Sequence, residues 1–351
     1  MKNLDSKMER ILVTGNLGYI GFVLTEMLLS ENYEVIGLDT NFYRDKKIID
    51  FKFKKDFRQY YKDVRQIKLD DLKGIDYVIH LAALSNDPLG ELNPGITEEI
   101  NLNASIKLAK LAKQAKVSRF LFSSSCSIYG ANEDNKLDEE APMKPLSAYA
   151  RSKVNFEEEL SKLADNSFSP TYLRNGTAFG VSPNIRFDLV VNNLMGWAYT
   201  TKEIKILSDG RAWRPIVHIR DISKAFLAVL KAPIEQIHKE AFNVGINSEN
   251  YQIKTIAKEI HNLMPNCEIK ILGEHNPDQR NYNVNFDKIG EKLNGFKPEW
   301  NLIKGIKELH NSFKQINLKY DDFQDKNYTR IKQLKYLLSN RKIDDNLYWI
   351  K

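Results

Sequence analysis

The sequence predicts an α/β fold built on a doubly wound parallel sheet. Three observations carry that prediction: short apolar runs alternate with helix-like stretches through the first half of the chain, a glycine-rich turn follows the first run, and an acid closes the second. Alternation of this kind implies parallel strands joined by crossover helices on both sheet faces.

Residues 11–14 (Ile-Leu-Val-Thr) are apolar or β-branched, as a buried strand is. Gly15, Gly18 and Gly21 come next, and 22–30 read as a helix. Backbone N–H groups at a helix N-terminus favour an anion, and glycine lets a diphosphate approach the backbone closely. The turn residues Gly15, Leu17, Gly18, Tyr19, Ile20 and Gly21 are therefore cofactor-site candidates; a bare strand-to-helix corner is the plainer reading. The second strand, 34–38, ends at Asp39, whose carboxylate suits the two hydroxyls of an adenosine ribose. It would repel a 2′-phosphate, so NAD is expected over NADP, with Arg44 near enough to soften the preference. Residues 40–61 read as a connection with short helical pieces. Asp63, with Val64, either meets an adenine amino group or caps a helix before Leu69.

Residues 76–81 form the next buried strand, and the small Ala82 and Ala83 after it leave room for a dinucleotide, with Leu81 beside them. One long amphipathic helix is expected over 97–116. Residues 119–122 form a further strand that runs into Ser123, Ser124 and Ser125. Ligands of such sheets sit at the carboxyl ends of strands, where this serine run lies.

Composition bounds the rest. The 351 residues suffice for two lobes with a real core, and 42% hydrophobic with 28% charged residues is ordinary for a globular protein. The net charge of +6 is spread over many lysines, densest at 46–62 and 326–342, with no nucleic-acid-binding module around them. No nucleic-acid partner is expected, although a modest positive field helps to draw in an anionic substrate. Two distant cysteines, Cys126 and Cys267, and 6 His give neither a disulfide framework nor a metal spacing. No leader-like or 18-residue apolar segment stands out, so a cytoplasmic protein without membrane attachment is expected.

Tyr149 and Lys153 lie at the start of a helix expected to reach about Leu163, and a spacing of four puts them on one face. A phenol ionises near pH ~10, so a useful phenolate near neutrality needs roughly 4 kcal/mol of help. A neighbouring ammonium supplies help of that kind. The phenolate can then take a proton from a sugar hydroxyl whose carbon gives up hydride. The chain has three such Tyr-x-x-x-Lys pairs, with Tyr43/Lys47 and Tyr328/Lys332 the others. Only the middle one follows a strand that ends in serines, and Ser125 there can bond the same hydroxyl.

These elements resemble the extended short-chain dehydrogenase/reductase family, specifically its NAD-dependent nucleotide-sugar epimerase/dehydratase group. The shared features are the Thr14–Gly21 turn, Asp39, His80-Leu-Ala-Ala83, the serines before Ile128-Tyr129-Gly130, and Tyr149 with Lys153. Further along come Arg174 to Gly180, Asn192-Asn193, Arg214 to Asp221, Phe242 to Gly245, and Arg280-Asn-Tyr282. The resemblance implies a Rossmann-type sheet with a smaller C-terminal α/β substrate-binding lobe. The cofactor domain would take residues 1–175 with returning segments near 214–245; the substrate lobe would take 176–315, discontinuously. It assigns Ser125, Tyr149 and Lys153 to catalysis, and adds Asn101, Ser123, Tyr149 and Lys153 to the NAD contacts. Ser85, Cys126, Ser127, Thr177, Asn192, Asn193, Arg214 and Arg280 are implied to hold a nucleotide-diphosphate sugar. Arginine's fork suits phosphate oxygens, although Arg211 and Arg214 around Trp213 also fit a surface cation–π cluster. A homodimer through the helices at 97–116 and 147–163 is likewise implied.

Three departures from the family pattern matter. Thr177 stands where the family often has asparagine. The 4,6-dehydratases carry an Asp-Glu pair that this chain replaces with Cys126 and Ser127, which argues against dehydration. The tail at 316–351 goes beyond the common length and reads as a helical cap, with a helix at 328–340 and Trp349-Ile350 docking back. Epimerisation is thus the expected activity; a nucleotide-sugar dehydrogenase or keto-sugar reductase is the alternative, and a non-catalytic NAD-sensing scaffold a remote one.

Overall fold

The computed structural model describes residues 8–43, 49, 51–85, 90–131, 136–273 and 280–350. Its strands are β1 (Arg10–Thr14), β2 (Glu34–Asp39), β3 (Arg58–Tyr61), β4 (Tyr77–His80), β5 (Arg119–Ser125) and β6 (Ser169–Asn175). The later strands are β7 (Thr177–Phe179), β8 (Glu203–Ile206), β9 (Trp213–His218), β10 (Ala241–Val244), β11 (Asn250–Gln252) and β12 (Glu268–Ile271). Seven strands form one parallel sheet in the order β10-β6-β5-β4-β1-β2-β3. Strand order reverses between β1 and β4, and the crevice at such a switch point is where these sheets bind ligands. The sheet is thus the doubly wound, Rossmann-type α/β architecture expected.

Both faces of this sheet are covered by apolar side chains. One side gathers Leu12, Val78, Phe120 and Leu108; the other gathers Ile11, Val13, Leu173 and Phe226. A three-stranded β11-β9-β7 sheet and a two-stranded β12-β8 sheet come together with the helices Val190–Thr201, Ile253–Leu263 and Leu302–Gln315. A third apolar cluster there includes Phe187, Met195, Ile256 and Phe313. Among the described residues no helix is long and apolar enough to cross a membrane.

Three elements differ from the sequence expectation. β3 lies where a connection was expected: it is an edge strand with Arg58 and Tyr61 exposed and Gln59 and Tyr60 half-buried, so it carries no apolar run. The first helix starts at Tyr19, three residues before its apolar stretch, because Gly18 serves as N-cap. The stretch read as one helix over 97–116 is Pro94–Glu98 and Ala104–Gln114 with a π-helical turn, Glu99–Asn103, between them. That wider turn coincides with Asn101 being drawn inward, where it bonds both the N–H and the carbonyl of Leu84.

The C-terminal tail packs on the large sheet. Leu334, Leu337, Ile343 and Leu347 join the same core as Phe42, Val64 and Leu108. Gln333 Nε2 donates to the Phe42 carbonyl at 3.1 Å, and Trp349 Nε1 to the Thr40 carbonyl at 2.7 Å. The helix Arg330–Ser339 therefore lies against the loop that leaves β2.

Candidate active site

The glycine turn is built by close approach. Gly15 has φ +75°, and its N–H donates to the Leu38 carbonyl at 2.8 Å. A Cβ on Gly15 would lie 2.8 Å from Ala82 N, and one on Gly21 would lie 2.2 Å from the Gly15 carbonyl oxygen. Gly15→Ala will therefore lose at least about 2 kcal/mol of stability, from left-handed strain plus a backbone collision. A lower thermal midpoint and weaker NAD retention check this. With glycine at the N-cap no cap side chain takes the first-turn N–H groups among the described residues, which leaves them for an anion.

Asp39 accepts from Leu17 N at 3.1 Å and from Asn41 N at 2.7 Å, while burial pushes its carboxyl above the usual range. Asp63 accepts from Arg65 N, Nε and Nη2 at 2.8, 3.0 and 2.7 Å. It thus caps the turn Val64–Gln66, while its residue also lines the cavity. At the end of β4, buried His80 bonds Thr14 Oγ1 at 2.7 Å and Ser105 Oγ at 2.8 Å. Burial holds the ring down to about 3, so it stays neutral and braces β1 against β4.

One open cleft at the carboxyl ends of the strands joins these parts. It brings together Gly15, Gly18, Tyr19, Ile20, Gly21, Asp39, Asp63, Val64, Leu81, Ala82 and Ala83 with Ser85, Ser123, Ser125, Ser127, Tyr149, Lys153, Thr177 and Arg280. Lys153 Nζ donates to the Ser123 carbonyl at 2.8 Å and lies 5.5 Å from the Tyr149 ring centroid. Burial pulls its ammonium down to about 7, and Glu157 partly opposes that. Ser125 Oγ accepts from Ser127 N at 3.1 Å. Ser127 Oγ and Asn175 Oδ1 are buried without a hydrogen-bond partner among the described residues, so polar ligand atoms can satisfy them.

Other sequence candidates lie outside the cavity lining. Leu17 offers its backbone to Asp39 and Asn184, and Asn101 holds Leu84 and Ser152. Asn192 is wholly buried, spanning Tyr19, Gly180 and Arg186, and Asn193 bonds the Phe187 carbonyl. Cys126 is 1% exposed, donates to the Arg174 carbonyl at 3.1 Å, and has its thiol pushed up by burial. Arg214 lies over Tyr282 at 5.7 Å and donates to the Trp213 and Arg280 carbonyls at 2.8 and 2.6 Å. Arg44 falls outside the described residues.

The lining also holds Tyr43, Asn175, Arg186 and Arg330, which sequence reasoning missed. Arg186 pairs with Asp188 at 2.8 Å and donates to Ser85 Oγ at 3.0 Å. Its only sequence signal is the Arg-Phe-Asp spacing at 186–188. Among the described residues, the carboxylates in the lining are Asp39 and Asp63.

Residues 11–245 match the description "NAD dependent epimerase/dehydratase family". The chain belongs to that family. Its cofactor is accordingly NAD, which the glycine cradle, the free first-turn N–H groups and Asp39 fit. A UDP-glucuronate 4-epimerase of Thermodesulfobacterium geofontis is 28% identical over 88% of this chain and 97% of its own. A bovine dTDP-D-glucose 4,6-dehydratase is 25% identical over 87% and 88%. Among solved structures, a UDP-N-acetylglucosamine 4-epimerase from Methanobrevibacter ruminantium M1, in complex with UDP-N-acetylmuramic acid, superposes with a TM-score of 0.77. That match is at 24% identity and covers 88% of this chain and 99% of the other. The chain is thus similar in sequence to both a 4-epimerase and a 4,6-dehydratase.

Proposed function

We propose that this family member interconverts C4 epimers of a nucleotide-diphosphate sugar, with Tyr149 as the base. The observation that carries this reading over dehydration is the lining near Tyr149. Among the described residues it holds serines, Asn175, Thr177 and Lys153, but no carboxylate to act as acid and base of water loss. Bound NAD supplies a hydride acceptor that can give the hydride back. Tyr149 takes the proton of the sugar hydroxyl on its phenolate oxygen, and returns it at the end of the cycle. Ser125 Oγ bonds that hydroxyl and orients it, while the Lys153 ammonium favours the phenolate. Arg280 and Arg186, both in the lining, suit the substrate's diphosphate. We further propose a homodimer, paired through the adjoining helices Ala104–Gln114 and Ala148–Lys162.

The test begins with mass spectrometry of the protein as purified, which should show retained NAD. Proton NMR with UDP-linked hexoses should then show two C4 epimers approaching equilibrium without accumulation of reduced cofactor. Stoichiometric reduced nicotinamide with an oxidised sugar product would instead identify a dehydrogenase, and a 4-keto-6-deoxy product would overturn the argument from missing carboxylates.

A further inference from the structure

The C-terminal extension delivers a cation into the cofactor cavity. Arg330 opens the helix Arg330–Ser339, lines the same cleft as Gly15, Gly18 and Asp39, and is 2% exposed. Its Nη1 and Nη2 donate to Asn184 Oδ1 at 3.0 Å and to the Asn184 carbonyl at 3.3 Å. The guanidinium also lies 3.8 Å from the Tyr43 ring centroid. Among the described residues no carboxylate forms an ion pair with it within 4.0 Å. A buried guanidinium in that state is costly, and burial indeed pulls it down to about 10. An anion entering the cleft would relieve that cost.

The position of Arg330 along the cleft says which anion. Asn184, held by Arg330, donates through Nδ2 to the Leu17 carbonyl at 2.8 Å, and Leu17 N donates to Asp39. The guanidinium is thus tied through one side chain to the glycine turn, where a dinucleotide's diphosphate is expected, next to the acid expected at the ribose.

We propose that Arg330 is a phosphate-binding residue of the NAD site, so that the C-terminal extension is a working wall of that site and not only a cap. The fork of the guanidinium meets diphosphate oxygens while Asn184 and the Tyr43 ring hold its plane. Trp349, bonded to the Thr40 carbonyl, keeps the extension on the loop that leaves β2. The proposal rests on the NAD assignment and is independent of which sugar reaction follows.

Two measurements on the full chain test it. The first is the release rate of NAD from the purified protein, followed by exchange against isotope-labelled NAD. The second is calorimetric titration of the same protein, once freed of NAD, with ADP and with adenosine. Arg330→Gln should speed NAD release and weaken ADP by about tenfold or more, while adenosine changes by less than about twofold. Arg330→Lys keeps the charge but not the fork and should fall between the two. Thermal melting establishes that each variant is folded, and the lysine variant keeps the test open if the glutamine variant is not. Equal losses for ADP and adenosine, or unchanged ADP affinity in both variants, would overturn the proposal. A wild-type chain that binds neither NAD nor ADP would overturn the cofactor assignment itself, a result distinct from either of those.

Discussion

Tyr149→Phe will lower turnover by about a thousandfold while leaving the NAD content of the purified protein unchanged. The size follows from the role: a positioned acid–base group contributes roughly 10²–10⁴-fold, and phenylalanine can neither accept nor return the sugar proton. The retention of NAD follows from geometry. The cofactor's diphosphate and adenosine are expected on the glycine turn and Asp39, which belong to β1, β2 and the helix Tyr19–Ser30, whereas Tyr149 sits on Ala148–Lys162. Phenylalanine keeps the ring and Cβ of Tyr149 and removes only the hydroxyl. Steady-state kcat with a UDP-hexose, together with NAD measured by mass spectrometry after denaturation, checks both halves. Turnover within about tenfold of wild type would remove Tyr149 from the role of base.

The sheet and the grouping of Ser125, Tyr149 and Lys153 in one cleft were legible in the sequence because each rests on a local pattern. Apolar runs gave β1, β2, β4 and β5, and the glycine spacing marked the corner after β1. Tyr149 and Lys153 share a helix face by spacing alone. β3 was hidden because an edge strand half open to solvent needs no apolar run. Asn192 and Asn101 show a role that spacing does not reveal. Each is implied by the resemblance as a ligand contact, and in the structure each has its amide bonded to loop backbone groups, to Gly180 N and Arg186 O and to Leu84 N and O. Arg330 was out of reach for a different reason. It follows Asp39 by 291 residues and meets the cleft only because Leu334, Leu337 and Leu347 bury the tail on the sheet. No window of sequence shows such a contact.

Lys153→Met will cost about a hundredfold in turnover near neutral pH and will reverse part of a pH-dependent stability deficit. At 5.5 Å from the Tyr149 ring centroid, a unit charge in a protein interior of effective dielectric ~20 is worth about 3 kcal/mol to the phenolate, or about two decades in rate. The stability effect has the sign of a depressed lysine. Burial holds Lys153 at about 7, against the ordinary 10.5. Below pH ~7 folded and unfolded chains both carry the proton, and the folded state bears the whole cost of the buried ammonium. Between those values only the unfolded chain keeps its proton, so wild-type stability rises with pH across that window. Methionine has no such titration. The stability difference, Lys153→Met minus wild type, should therefore be most favourable to the variant at and below pH ~7 and shrink steadily toward pH ~10.5. Loss of the bond to the Ser123 carbonyl shifts that difference by a constant and leaves its slope alone. Denaturant melts of both proteins at several pH values measure the slope directly. A difference that stays flat with pH would mean that Lys153 is not a buried, depressed ammonium, and full turnover in the variant would mean that its charge does not act on Tyr149.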